Sequence, residues 1–153
     1  MKRNLIAVVA VAAYPSPGEV VSPFGGFVRS IAKDLKVGNA DAVATAAAAM
    51  APHVPRGATL VPVPGHRGSS SANLALAEAI AKAADAKVAD GLGREPSESQ
   101  YARRKAGKPP LAPGEIRMAW HGRRPAGVVL LIDNVVTTGA TAEAAARALG
   151  GGV

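Results

Sequence analysis

Asp133 and Asn134 are followed, after Val135 and Val136, by Thr137-Thr138-Gly139-Ala140-Thr141. The apolar run Val128 to Ile132 precedes them and an alanine-rich segment follows, so the polar pair stands at the end of a strand and the hydroxyls open a helix. A helix start of that kind attracts an anion such as phosphate, because its first N–H groups lack acceptors and its dipole is positive there. Neither common phosphate motif is present: there is no G-x-x-x-x-G-K-[ST], and no G-x-G-x-x-G follows a strand. His53, His66 and His121 are far apart with no i, i+4 pairing, so no zinc site is expected. Cysteine is absent, which excludes disulfides, thiolate metal sites and cysteine nucleophiles and fits a reducing compartment.

These residues need a frame. "TLVPVP" at 59–64 is an apolar run with two prolines, which places it at a sheet edge or confines its prolines to its C-terminal end. "GHRGSSS" at 65–71 is a glycine and serine loop, and "ANLALAEAIAKAA" after it has helical spacing. The same order of strand, loop and helix recurs at 128–149. Strands alternating with helices imply parallel pairing, hence an α/β fold, and open α/β sheets place ligands at the C-terminal ends of their strands. Val128 to Ile132 is the kind of continuous apolar strand that parallel sheets bury on both faces.

Upstream, Val28 to Leu35 reads as a short amphipathic helix ending near Gly38, and "NADAVATAAAAMAPH" as a second helix capped by Asn39 or Asp41 and stopped by Pro52. "KVAD" at 87–90 could be a brief strand. Residues 91–117 lack sustained periodicity and are expected to form a long functional or mobile loop. The segment Leu5 to Ala13 follows a basic start and ends in small residues, as a secretory leader does; its shortness and β-branched content favour a strand. No stretch reaches the ~18 apolar residues of a membrane span.

The chain has 153 residues, 48% of them hydrophobic but only 3% aromatic, so one domain with a core of alanine, valine and leucine is expected. Its net charge of +7 favours anionic partners: phosphorylated small molecules, nucleic acid or membrane surfaces. The charge is concentrated in "ARRKAGKPP" at 102–110 and "HGRRP" at 121–125. Neither run is interleaved with aromatics as a base-stacking surface would be, and a solvated loop is the default reading of both.

"VLLIDNVVTTGAT" resembles the phosphoribosyl pyrophosphate (PRPP) signature of type I phosphoribosyltransferases: an apolar strand, two acids, two variable residues and T-T-G-A-T. "LVPVPGHRG", the helix after it and "RKAGKPP" are similar to the branch of that family related to competence protein F, over residues 58 to 149. The resemblance implies a type I phosphoribosyltransferase-like parallel sheet flanked by helices, with residues 58–153 as PRPP-binding core and residues 1–57 supplying a small hood-like portion. By resemblance, Asp133 and Asn134 would face the ribose hydroxyls, Val135 and Val136 would be the variable pair, and Thr137, Thr138, Gly139, Ala140 and Thr141 would cradle the 5-phosphate. Pro64, Gly65, His66, Arg67 and Gly68 would form the pyrophosphate loop, with Arg67 as its charge partner. Arg103, Arg104 and Lys105 would lie on or beside a mobile lid over the leaving group.

The implied activity is transfer of phosphoribose from PRPP to a nitrogenous acceptor, in the cytoplasm, with Asp133, Arg67, Arg103, Arg104 and Lys105 in catalytic roles. Mg²⁺ would be held mainly through PRPP and by no dedicated protein ligand set. A homodimer is one further expectation; a membrane partner is not. Two departures from the family pattern stand out: Asn134 replaces an acid, and the sequence ends in "ALGGGV" where relatives continue into another strand. Two other readings therefore remain open, a PRPP-binding regulator without turnover and a DNA-uptake accessory protein whose basic segment binds nucleic acid.

Overall fold

The computed structural model describes residues 11–15 and 20–150. Its elements are α1 (Pro23–Lys36), α2 (Ala40–Met50), β1 (Thr59–Pro62), α3 (Ser71–Ala84), β2 (Lys87–Val88), β3 (Leu92–Arg94), α4 (Gln100–Lys105), β4 (Met118–Trp120), β5 (Val129–Ile132) and α5 (Ala140–Ala148). The strand expected over Leu5 to Ala13 lies largely outside the described residues, and Val11 to Ala13 carry no strand.

A three-stranded parallel sheet runs β2-β1-β5, with Thr59 to Pro62 in register against Val129 to Ile132. The protein is thus α/β, a small parallel sheet flanked by helices. Side chains alternate across the sheet. Leu60, Leu130 and Ile132 enter a cluster with Leu35, Ala42, Ala46, Ala47, Leu76, Ala77 and Ile80, so α1, α2 and α3 cover that face. Val61, Val63, Val129 and Leu131 pack on the other face with Leu92, Trp120, Ala145 and Ala148, where α5 and the antiparallel pair β3-β4 sit. Small side chains in α2 suit this arrangement, since Ala42, Ala46 and Ala47 let it lie close to α3. Completely buried Leu60, Leu76 and Ile80 each contribute about 1.5–3 kcal/mol of transfer free energy.

Pro62, which ends β1, and Pro64 beyond it fall where they cost least. Thr59 and Val63 donate to Val128 and Ile132 on the β5 side, whereas the carbonyls of Ala58 and Leu60 accept from Lys87 and Ala89 on the β2 side. By alternation, Pro62 and then Pro64 turn toward β2 beyond Ala89, where the ladder has ended and no donor is needed. A strand that ends in proline, with a second proline just beyond it, is therefore central.

Helix α1 begins before the periodicity suggests. Ser22 Oγ accepts from the Gly25 N–H at 3.0 Å and Pro23 occupies the first turn, so capping sets the start despite two poor helix formers, Gly25 and Gly26. It ends as expected, with Gly38 at φ +70. For α2, Asn39 is the cap, its Oδ1 accepting from Asp41 and Ala42, and a single 3₁₀ turn, Ala51–His53, follows at Pro52.

Residues 91–117 differ from the expected loop. They hold β3, α4 and a 3₁₀ turn at Pro113–Glu115, and β3 pairs with β4. The segment is strapped by side chains: Gln100 donates to the Leu111 carbonyl at 3.2 Å and accepts its N–H at 2.9 Å, and Arg103 Nε donates to the Pro109 carbonyl at 2.8 Å. β5 also differs from a strand buried on both faces. It pairs only with β1 among the described residues, so Val129 to Leu131 are partly buried and Val128 is exposed.

Candidate functional site

Because β1 and β5 are adjacent, parallel and in register, the loops leaving their C-terminal ends emerge side by side. These are Pro64 to Gly68 and Asp133 to Gly139, the two segments that the sequence singled out. Each leads directly into a helix, α3 and α5.

The first loop is closed on itself. Gly68 N–H donates to the Gly65 carbonyl and Gly65 N–H to the Ser69 carbonyl, both at 2.9 Å. The amides of His66 and Arg67 at its tip make no backbone hydrogen bond among the described residues, and the Arg67 side chain is exposed without an ion pair there. Gly68 has φ +89, and a Cβ on it would lie 2.9 Å from the Arg94 carbonyl oxygen. The loop is thus seated against β3, and Ser97 N–H adds a hydrogen bond to the His66 carbonyl at 2.8 Å.

The second loop starts at Asp133. Its Oδ1 accepts from the Asn134 N–H at 2.8 Å and from Asn73 Nδ2 on α3 at 3.2 Å. Burial pushes the Asp133 carboxyl above the usual range, and the Asn73 and Asn134 hydrogen bonds and the Arg94 charge work against that. Val136, Thr137 and Thr138 are exposed, and Gly139 reaches φ +81 at the entry to α5. Thr138 Oγ1 accepts the Ala140 N–H at 3.3 Å, whereas Thr141 and Ala142 stand in the first turn, where no carbonyl four residues back lies inside the helix. That end of α5 can take an anion.

Two residues that the sequence reading passed over join the loops. Asn73 is buried, donating to the Val63 carbonyl at 2.8 Å as well as to Asp133. Arg94, at the end of β3, donates from Nη1 to the Pro64 carbonyl at 3.3 Å and from Nη2 to Ser97 Oγ at 3.1 Å, while its Nε is buried without a partner. Burial lowers the Arg94 pKa and the Asp133 charge opposes the change. His66 is lowered too, by burial and then by the charges of Arg67, Arg94 and Lys36, which favours the neutral imidazole. Asn73 had a signal: it opens the apolar stripe continued by Leu76, Ala77 and Ile80, where a polar residue needs a reason. Arg94 had none.

Arg103, Arg104 and Lys105 lie on α4, away from both loops in hydrogen bonding. Arg103 is half-buried and pairs with Glu98 at 3.5 Å, while Arg104 and Lys105 are exposed with no ion pair among the described residues. Of the aromatics, Phe24, Phe27 and Tyr101 are exposed, and Trp120 packs over Gly91. The described residues contain no group of three or more His, Cys, Asp or Glu that could cage a metal. No described helix is long and apolar enough to cross a membrane. Compared with known protein families, with characterised proteins and with solved structures, the chain matches none.

Proposed function

We propose that this protein is a phosphoribosyltransferase that binds PRPP at the two loops, transferring phosphoribose to a nitrogenous acceptor with release of pyrophosphate. The observation that carries the reading is the placement of an acid, Asp133, and a hydroxyl-rich helix start beside a cationic loop, at the C-terminal ends of two neighbouring parallel strands. In this reading the first turn of α5 and the Thr137 to Thr141 hydroxyls hold the 5-phosphate, Asp133 and Asn134 meet the ribose hydroxyls, and the His66 and Arg67 amides with the Arg67 guanidinium receive the pyrophosphate.

The chemistry asks for little more from the chain. As the acceptor nitrogen bonds to the anomeric carbon, the bond from that carbon to the pyrophosphate oxygen breaks and its electron pair leaves with the pyrophosphate. Positive charge builds on the ribose and negative charge on the leaving group, so positioning and charge stabilisation dominate. Mg²⁺ bound through PRPP oxygens would neutralise part of the leaving charge. Arg67 on the first loop and Arg94, which reaches the Pro64 carbonyl, supply positive charge beside the loops, and in this reading Asp133 fixes the sugar.

Calorimetry with PRPP, with and without Mg²⁺, together with pyrophosphate release on purines, pyrimidines and pyridine carboxylates, tests the reading. Magnesium-dependent binding with release, lost in Asp133→Ala and Arg67→Ala, is the expected result; absence of PRPP binding would sink it. Asn134 favours a second reading, a PRPP-binding regulator, since a neutral amide stands where the resemblance calls for a carboxylate. Binding without release on any acceptor would support that one.

A further inference from the structure

The Asn73 carboxamide has its two N–H hydrogens directed at two acceptors, the Val63 carbonyl at 2.8 Å and Asp133 Oδ1 at 3.2 Å. A main-chain carbonyl and a carboxylate oxygen can only accept, so the nitrogen of the amide must face them. The side chain sits in the first turn of α3, is 8% exposed, and heads the buried stripe of Leu76, Ala77 and Ile80. An apolar residue would serve the packing there. The amide instead ties three elements together: the end of β1, the start of α3 and the end of β5.

Resting on the transferase reading, we propose that Asn73 is a positioning residue: anchored on the Val63 carbonyl just past β1, it holds the Asp133 carboxylate so that Oδ2 is turned to the ribose diol. Oδ1 is occupied by Asn73 and by the Asn134 N–H, and Oδ2 has no side-chain partner among the described residues. Asn73 acts on the ligand only through Asp133. It also stabilises the ionised acid against the burial that disfavours it; among the described residues the charged side chain acting on the carboxylate is Arg94 of β3, and the remaining donors are the Asn134 and Val135 backbone amides.

The experiment is an NMR titration of ligand-free protein, following the Asn73 side-chain amide and the Asp133 carboxyl carbon, with Mg-PRPP affinity measured on the same samples. In the wild type the Asn73 amide signals should move with the Asp133 midpoint. In Asn73→Leu that midpoint should rise by about one pH unit, and PRPP should bind about tenfold more weakly near it. A purely structural asparagine would leave the midpoint where it is. Should Asn73→Leu not fold, Asp133→Asn serves: its substitution must shift the Asn73 amide signals. Unmoved Asn73 signals, or an unmoved Asp133 midpoint in Asn73→Leu, overturn the proposal. Failure of the wild type to bind PRPP defeats the transferase reading instead, and is told apart because the titration contains no PRPP.

Discussion

Gly68→Ala perturbs the point where the first loop rests on β3. Two costs add. Gly68 sits at φ +89, a conformation that costs an alanine about 1 kcal/mol. The new Cβ would also lie 2.9 Å from the Arg94 carbonyl oxygen, a backbone atom that cannot swing aside, so the loop must lift off β3 at about 1–2 kcal/mol more. For a chain of this size 1 kcal/mol is worth roughly 2–4 °C of melting temperature, which puts the loss at roughly 4–12 °C. The control is Gly57→Ala, at φ +77 with nothing within 4 Å and at the opposite end of β1, where only the first cost applies, roughly 2–4 °C. Calorimetric melting of both variants and PRPP titration of each give the comparison. Gly68→Ala should weaken PRPP binding about tenfold or more by displacing His66 and Arg67, while Gly57→Ala leaves it unchanged. Equal melting losses, or intact PRPP binding in Gly68→Ala, would refute the idea that contact with Arg94 sets the loop.

Asp133→Asn should abolish PRPP binding yet raise the melting temperature at neutral pH. The folded pKa of Asp133 is raised by burial, so its contribution to stability is fully present below the ordinary carboxylate range and is lost as pH rises through the folded value. The advantage of the variant should therefore grow with pH across that window, and melting at a series of pH values checks it. Asn134→Asp should tighten magnesium-dependent PRPP binding in calorimetry, and weaker or unchanged binding would count against a ribose-facing role. Arg103→Ala should cost about 1–2 kcal/mol and expose residues 98–110 to proteolysis, because Arg103 bonds both Glu98 and Pro109. Arg104→Ala with Lys105→Ala should leave stability within about 0.5 kcal/mol, since both are exposed.

What could be read from the sequence follows physical lines. β1 and β5 were legible because each is an apolar run ended by a change to glycine, serine, acid or threonine, and each is followed by a long alanine-rich helix. Those local signals coincide with the tertiary arrangement. β3 and β4 were not legible: three residues are too few for a period, and they pair across some two dozen residues. What holds them is long-range, Trp120 over Gly91 and Leu92 in the core beside Val61. α4 is six residues long and is kept by straps to Pro109 and Leu111, not by its own propensity. The candidate loops were found through their residue types, whereas the residues joining them, Asn73 and Arg94, act across 60 and 30 positions of chain to Asp133 and Pro64. A distance like that leaves no trace in local pattern.

Pro62 and Pro64 have a consequence for how the chain finds its path. Past Ala89 the flank of β1 offers acceptors but no donors, so a longer β2 would leave its own carbonyls dry and unbonded. Extension of that strand is refused by the partner's chemistry, whatever residues follow Asp90. The backbone has to leave the first layer at that point, and β3 on the far face is where it goes. Two imino acids thus serve as a road sign for the whole second layer, and replacing them with donors would open a route for β2 to run on alongside β1, drawing Arg94 away from the carbonyl at position 64.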